Sequence, residues 1–325
     1  MGANGKLLKG IEIMKAIVYD KKNKESNLSL MQVAKPVLNE DEILIEVYAS
    51  SVNAADYRLL KMGIAPKKKI FGADFSGIVC SVGKNISKFK VGDEVCGDLS
   101  NDGFGGFAEF VAVRENAIVS KPDNVTFEEA ASIPLAGITA LQALCDRGNI
   151  KAGDNVLIVG SSGGVGTYAI QLAKHYGGSV TCVCSNKNHK QAKELGADHI
   201  IDYKSENFQF EENKFDLVLA INGDYPLSTY KKSLKENGKF VLVGGSLTQI
   251  FKNLLFGKLM SLGSKKMLQL FAKSNQKDIE FLLNLVKEKK IKPVIEKIYS
   301  LEQAIEGISY VSEGHASGKV VIRIK

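Results

Sequence analysis

Apolar and polar positions alternate through the first third of the chain. Short runs such as AIVYD, EILIEVYAS, GIVCSVG, GDEVCGD and FAEFVAV lie between residues 14 and about 127, separated by turn residues, with glycines gathered at 97 to 106. A period of two sends successive side chains to opposite faces of a strand, so this stretch is expected to be an all-β domain. From about Phe127 the pattern changes: segments of helical period (EEAASIPLAGITALQALC, VGTYAIQLAKHYG, KQAKELGA) alternate with short continuous apolar runs (NVLIVG, SVTCVC, HIIDY, FDLVLAI, KFVLVGG). That alternation predicts βαβ crossovers and a parallel sheet covered on both faces. The tail reads as a helix, DIEFLLNLVKEKK, followed by a terminal strand, GKVVIRIK. Residues before Met14, where MKAIVYD opens the first strand pattern, are read as an expression scar or an alternative start.

Composition narrows the class. With 325 residues and 45% hydrophobic content the chain exceeds what one core usually organises, so two domains are expected. Charged residues make up 24%, and no apolar run reaches the roughly 20 residues that cross a bilayer, which argues against disorder and against a membrane span. The net charge of +7 comes from scattered lysines, and no basic run is interleaved with aromatics. A solvated surface is therefore expected and a nucleic-acid partner is not. Cys80, Cys96, Cys145, Cys182 and Cys184 are odd in number and show no CxxC spacing. With no signal-peptide pattern read at the start, they point to reduced thiols and a cytoplasmic location. Cys182 and Cys184 share one strand face and are expected in sheet core rather than as a metal pair.

The sharpest local feature is NVLIVGSSGGVGTYAIQLAKHYGG. A buried strand, Asn155 to Val159, runs into Gly160, Ser161, Ser162, Gly163, Gly164, Val165 and Gly166, and then into a helix ending at Gly177 and Gly178. This order suits a dinucleotide, because bare backbone N–H groups at a helix N-terminus can approach a pyrophosphate. A side chain at Gly166 is expected to collide with the helix–strand contact, and one at Gly164 to push the pyrophosphate off its donors. The alternative is a glycine turn that merely closes a βα unit. At the end of the second strand, where an NAD site supplies Asp or Glu to the ribose, stands Ser185, with Lys187 and Lys190 close behind. A carboxylate would repel a 2′-phosphate, whereas hydroxyl and ammonium groups can hold one, so NADPH is expected. Alternatively these lysines lie on a solvated helix start.

With these motifs in view, the sequence resembles the zinc-free quinone oxidoreductases and enone reductases of the medium-chain dehydrogenase/reductase superfamily, from Met14 to Lys325. The resemblance rests on SVNAADYRLLKMG (51–63), FGADFSGIV (71–79), VGDEVCG (91–97), GGFAEF (105–110), IPLAGITALQAL (133–144), GSSGGVG (160–166), LGADHIIDY (195–203) and GHASGKVVI (314–322), in that order. It implies an α/β protein: a GroES-like catalytic β domain of residues 1–127 and 276–325, and a doubly wound Rossmann domain of residues 128–275 that binds NADP, with the active site in the cleft. Zinc-dependent members carry Cys where Asn53 stands, His where Ala73 stands and Cys or Asp near Leu135, so no zinc is expected.

The resemblance also carries over residues. Asn53 would face nicotinamide and substrate, Thr139 would line the nicotinamide, and Tyr203 would help hold the adenosine phosphate. Plain alternatives are turn or helix hydrogen-bonders for the first two and a strand-end aromatic for Tyr203. Asp56 either caps the helix after VNAA or takes part in proton chemistry. Arg58 either polarises a carbonyl, contacts phosphate or sits on the surface. The implied reaction is hydride transfer from NADPH to a quinone or an α,β-unsaturated carbonyl, with the proton coming from water or Tyr57; the alternative is an NADPH-binding sensor or accessory protein with little catalysis. Family members often have D-x-V-G after the fourth strand, where this chain reads Ala220-Ile221-Asn222-Gly223-Asp224, which puts ribose contacts there in doubt. Finally, LTQIFKNLLFGKLMSLGSKKMLQLFA (247–272) is apolar with interspersed lysines. It is expected to pack over the cleft or at a subunit interface, as in a homodimer, with membrane or partner association as the alternative.

Overall fold

The computed structural model describes residues 12–205, 209–245 and 247–325, so the expectation of a scar or alternative start falls almost wholly outside the described residues. The chain divides into two compact units. One holds the residues up to Ser132 with 297–313 and 321–325, and the other holds 133–296 with 314–320.

In the first unit, β1 (Ile13–Tyr19) and β2 (Leu28–Ala34) form an antiparallel hairpin. There follow β3 (Glu42–Val52), α1 (Ala54–Lys61), β4 (Asp74–Val82), β5 (Glu94–Asp98), β6 (Phe110–Arg114), β7 (Ile118–Ser120) and α2 (Phe127–Ser132). The alternating positions Ile43, Ile45 and Val47 of β3 join Phe75, Val79 and Val95 in one buried cluster, so the period of two places them on a single core face. The glycine-rich stretch that follows β5 is loop, with φ of +84° at Gly103 and +127° at Gly105.

The second unit opens with α3 (Pro134–Gln142). The segment EEAASIPLAGITALQALC is therefore not one helix: α2 stops at Ser132 and α3 restarts with Pro134 in its first turn. Proline lacks the N–H that a continuing helix needs and fits only a helix start. The unit continues through β8 (Asn155–Val159), α4 (Gly164–His175), β9 (Ser179–Cys184), α5 (His189–Glu194), β10 (His199–Asp202), β11 (Phe215–Ala220), α6 (Leu227–Ser233), β12 (Leu234–Leu242), α7 (Leu247–Met260), β13 (Lys266–Gln269) and α8 (Gln276–Lys287). Its six strands are parallel in the order β10-β9-β8-β11-β12-β13. The chain starts mid-sheet, winds outward to β10, then crosses back to β11, which creates a topological switch point between β8 and β11. Val156, Leu157, Ile158 and Val159 are all buried, as strands covered on both faces require.

The return segment has more structure than the expected helix and strand, because β14 (Ile295–Ser300) and α9 (Ala304–Ser312) lie between α8 and β15 (Lys319–Arg323). In the first unit β3 anchors a seven-stranded sheet of order β14-β15-β3-β4-β5-β7, with β6 also pairing β3. The division at residue 276 needs correction: α8 goes with the parallel-sheet unit. Leu282 of α8 lies 2.8 Å from where a Cβ on Gly137 of α3 would stand. The Gln142 amide donates to Asp278 Oδ2 at 2.7 Å and to the Lys273 carbonyl at 2.8 Å, while its oxygen accepts from the Lys273 N–H at 2.9 Å. A buried glycine gap filled by leucine, and an amide satisfied on both sides, fix the helix there.

Candidate functional site

The glycine turn joins β8 to α4 at the switch point. Gly160 has φ +82°, and a Cβ on it would stand 2.6 Å from the Asn222 amide nitrogen, so only glycine lets the turns after β8 and β11 come this close. The Ala220 to Asp224 turn is well anchored despite its departure from D-x-V-G. Ile221 and Asn222 donate N–H groups to the Val159 carbonyl at 2.9 and 3.3 Å, and the Gly223 carbonyl accepts from Tyr230 Oη at 2.9 Å and Gln249 Nε2 at 2.8 Å. Gly166 meets the reading from sequence: a Cβ there would lie 2.4 Å from the Gly160 oxygen and 2.5 Å from the Ser161 carbonyl carbon. Gly164 does not. The direction of its missing Cβ is filled by the buried Lys319 side chain, 2.7 Å away at Cδ, whereas Gly163 meets nothing nearer than the Ala316 oxygen at 4.0 Å. Gly163, the N-cap of α4, thus leaves open space in front of first-turn N–H groups that a helix cannot satisfy internally.

Other residues of the turn divide by direction. Ser161 is buried and its hydroxyl donates to the Val183 carbonyl at 3.2 Å, so its side chain faces the sheet; its contribution to a ligand is confined to backbone. Ser162 and Val165 are half-buried, and the Ser162 carbonyl accepts from Gln191 Nε2 at 3.4 Å, tying the turn to α5. Parallel pairing of Asp202 with Cys184 brings the next residues, Tyr203 and Ser185, to neighbouring strand ends. Ser185 is buried, and the Tyr203 ring is exposed. Lys187 donates to the His315 carbonyl at 3.2 Å, while Lys190 sits on the solvated side of α5, 4.0 Å from Glu194. Lys187 is thus held at this rim, and Lys190 is exposed. Cys182 and Cys184 are buried in the sheet, where desolvation pushes both thiols up, Cys182 to about 12. They are core residues. Thr139 of α3 donates its hydroxyl to the Leu135 carbonyl at 2.6 Å.

In the β unit, the sequence SVNAAD turns the end of β3 into α1. Asn53 and Asp56 form a reciprocal capping box, in which Asp56 Oδ2 accepts the Asn53 N–H at 2.8 Å. Asp56 Oδ1 accepts the Gly72 N–H at 3.0 Å, so this buried carboxylate is a cap and a loop tie. Asn53 Nδ2 donates to the Ser51 carbonyl at 3.2 Å and to Asp74 Oδ2 at 2.8 Å, and Asp74 also accepts from Ser51 Oγ at 2.9 Å. Asn53 is therefore buried, with both amide hydrogens bonded within the β unit. Tyr57 and Arg58, one turn on, are half-buried; Lys61 Nζ lies 5.3 Å from the Tyr57 ring centroid.

The comparisons with known proteins divide along the same lines. Residues 39–123 match the model of the alcohol dehydrogenase GroES-like domain and residues 195–322 that of a zinc-binding dehydrogenase domain. A chloroplast envelope quinone oxidoreductase homolog of Arabidopsis thaliana is 34% identical over 91% of this chain and 94% of that protein. A chloroplastic NADPH-dependent alkenal/one oxidoreductase of the same plant is 32% identical, over 95% of this chain and 79% of that protein. The solved quinone oxidoreductase from Coxiella burnetii superposes with a TM-score of 0.85 at 31% identity, covering 97% of this chain and all of that one. The chain belongs to the quinone-oxidoreductase branch of the medium-chain dehydrogenase/reductase superfamily.

Membership raises the question of zinc, which the name of one matched domain implies. The residues do not fit it. Asn53 offers an amide already bonded to Asp74, Ala73 a buried methyl and Leu135 an isobutyl group, and among the described residues no group of three His, Cys, Asp or Glu could hold a metal. No described helix is long and apolar enough to cross a membrane. Three residues escaped the sequence reading: Lys319, Gln191 and Asp74. Lys319 reaches the cofactor turn from the far end of the chain, so no local pattern reveals it. The glutamine sits at an ordinary helix position. Asp74 is the one with a signal, a carboxylate at the start of a strand otherwise buried.

Proposed function

We propose that this protein is an NADPH-dependent reductase of quinones and α,β-unsaturated carbonyl compounds that works without zinc. The observation that carries the proposal is the pairing of an open Gly163 surface at the α4 N-terminus with a serine, not an acid, at the end of β9. NADPH bound there would supply the hydride. Backbone N–H groups of the turn from Gly163 to Gly166 hold the pyrophosphate, and Ser185, Lys187 and Tyr203 hold the adenosine phosphate. Gly160 and Gly166 keep the turn closed, and Ser161 pins it to β9. Asn53 acts through Asp74 and Asp56 to fix the α1 start, which carries Tyr57 and Arg58. Tyr57 would give the proton and Arg58 would polarise the acceptor oxygen, with Thr139 among the residues that would hold the nicotinamide.

The names of the two plant relatives and the Coxiella structure support the substrate class. A reducing compartment belongs to the proposal because all five cysteines are free; whether it is the cytoplasm is tested by localisation, since relatives carry chloroplastic or mitochondrial names. So does a homodimer, since β13 is an edge strand of its sheet. Oxidation of NADPH followed with quinones, enals and enones tests the activity. Turnover with NADPH that Tyr57→Phe slows is expected; tight NADPH binding with no turnover of any of these classes would point to a sensor instead.

A further inference from the structure

Helix α7 is built inside out. Its polar residues Gln249 and Asn253 are 2% and 4% exposed, and they point at the sheet. Asn253 Nδ2 donates to the Leu268 carbonyl and to Gln269 Oε1, each at 3.2 Å, while Gln249 bonds the Gly223 carbonyl. Gly257, one turn further on, allows close packing, with the Met267 oxygen 3.3 Å from its Cβ position. The opposite face shows Phe251 at 62%, Leu255 at 56% and Leu259 at 64% exposure, with Leu254, Phe256 and Leu262 beside them. An exposed apolar stripe this dense marks an interaction surface.

Charge says what kind of surface it meets. Between Asn237 and Lys277 the sequence has seven lysines and no acidic residue, while Glu236, just before this stretch, bonds Ser264 beyond the end of α7. Lys252 flanks the apolar stripe on α7 itself and is exposed. A second copy meeting this face across a two-fold axis would set the lysines against themselves. An anionic lipid surface complements both features, with phenylalanine and leucine entering the headgroup boundary and lysine stems reaching back to phosphate.

We propose that the outward face of α7, with Lys252 flanking it, docks the protein on anionic membranes in the plane of the surface. The test uses the full chain and vesicles of phosphatidylcholine alone or with about a third phosphatidylserine. The chain has no tryptophan, so Leu255→Trp gives a single reporter. The expected results are flotation with anionic vesicles at least about tenfold above neutral ones, suppression by salt, and a blue shift of the Leu255→Trp emission. Phe251→Asp, and separately Lys252→Glu with Lys273→Glu, should each lower flotation about tenfold without changing the melting temperature, whereas Lys24→Glu in the β1–β2 turn should not. No flotation, equal flotation with neutral vesicles, or flotation untouched by Phe251→Asp would overturn the proposal. So would a concentration-dependent dimer that Phe251→Asp disperses in the absence of vesicle binding, which assigns the face to a second copy.

Discussion

Substitution at two glycines of the β8–α4 turn separates ligand binding from folding, because their missing side chains point in different directions. A Cβ on Gly166 would lie 2.4 to 2.6 Å from the Gly160 oxygen and the Ser161 carbonyl, all backbone, so nothing can swing aside. Gly166→Val should cost on the order of 3 kcal/mol, near the top of the overpacking range, and lower the melting temperature of its unit by about 6–12 °C. At Gly163 the φ is −76° and the nearest atom lies 4.0 Å from the Cβ position. Gly163→Val costs the fold only the weaker N-cap, about 1 kcal/mol or less. On the proposed site it pushes the pyrophosphate off first-turn N–H groups, and losing one charge-assisted hydrogen bond of about 1.5–3 kcal/mol weakens NADPH binding about 10- to 150-fold. Fluorescence titration with NADPH, beside thermal melting of each variant, measures both. Gly163→Val binding NADPH as tightly as the unaltered protein would refute the placement of the phosphate, and an unchanged melting temperature for Gly166→Val would refute the close-packing argument.

Ser185→Asp places a carboxylate where the 2′-phosphate is proposed to sit, so the ratio of NADPH to NADH affinity should fall at least about tenfold; an unchanged ratio places the phosphate elsewhere. Elemental analysis should find no stoichiometric zinc, and chelators should leave activity intact, since Asn53, Ala73 and Leu135 are not donors; one zinc per chain would overturn this. Burial pushes the Cys96 and Cys182 thiols to about 12, so at pH 8 only about one in ten thousand is thiolate and neither should alkylate until the protein unfolds. The same shifts set an alkaline limit. With folded values above the unfolded one near 9, stability is complete below pH 9 and falls above it, by about 1.4 kcal/mol per pH unit for each thiol up to about 12. A melting temperature flat from pH 9 to about 11 would contradict the burial argument.

Much of this protein was legible in one dimension because its signals are local. Ile43, Ile45 and Val47 repeat at the pleat period, and the strand, glycine turn and helix of residues 155–175 follow one another without interruption. Asp56 could be recognised as a cap because its partner is three residues away. Ser185 could be placed because a strand end fixes its position. What the sequence could not determine is the direction of a side chain and the company it keeps across the fold. Ser161 and Gly164 look like phosphate contacts in the motif, yet parallel pairing with β9 turns the first inward and Lys319 covers the second. Asn53 is bonded to Asp74, a partner set by the register of β3 against β4. Helix α8 joins the parallel-sheet unit because leucine fills a gap at Gly137, and α7 shows its apolar face outward because its amides find backbone carbonyls inside. Periodicity states that a helix has two faces; only the packed structure decides which one turns in.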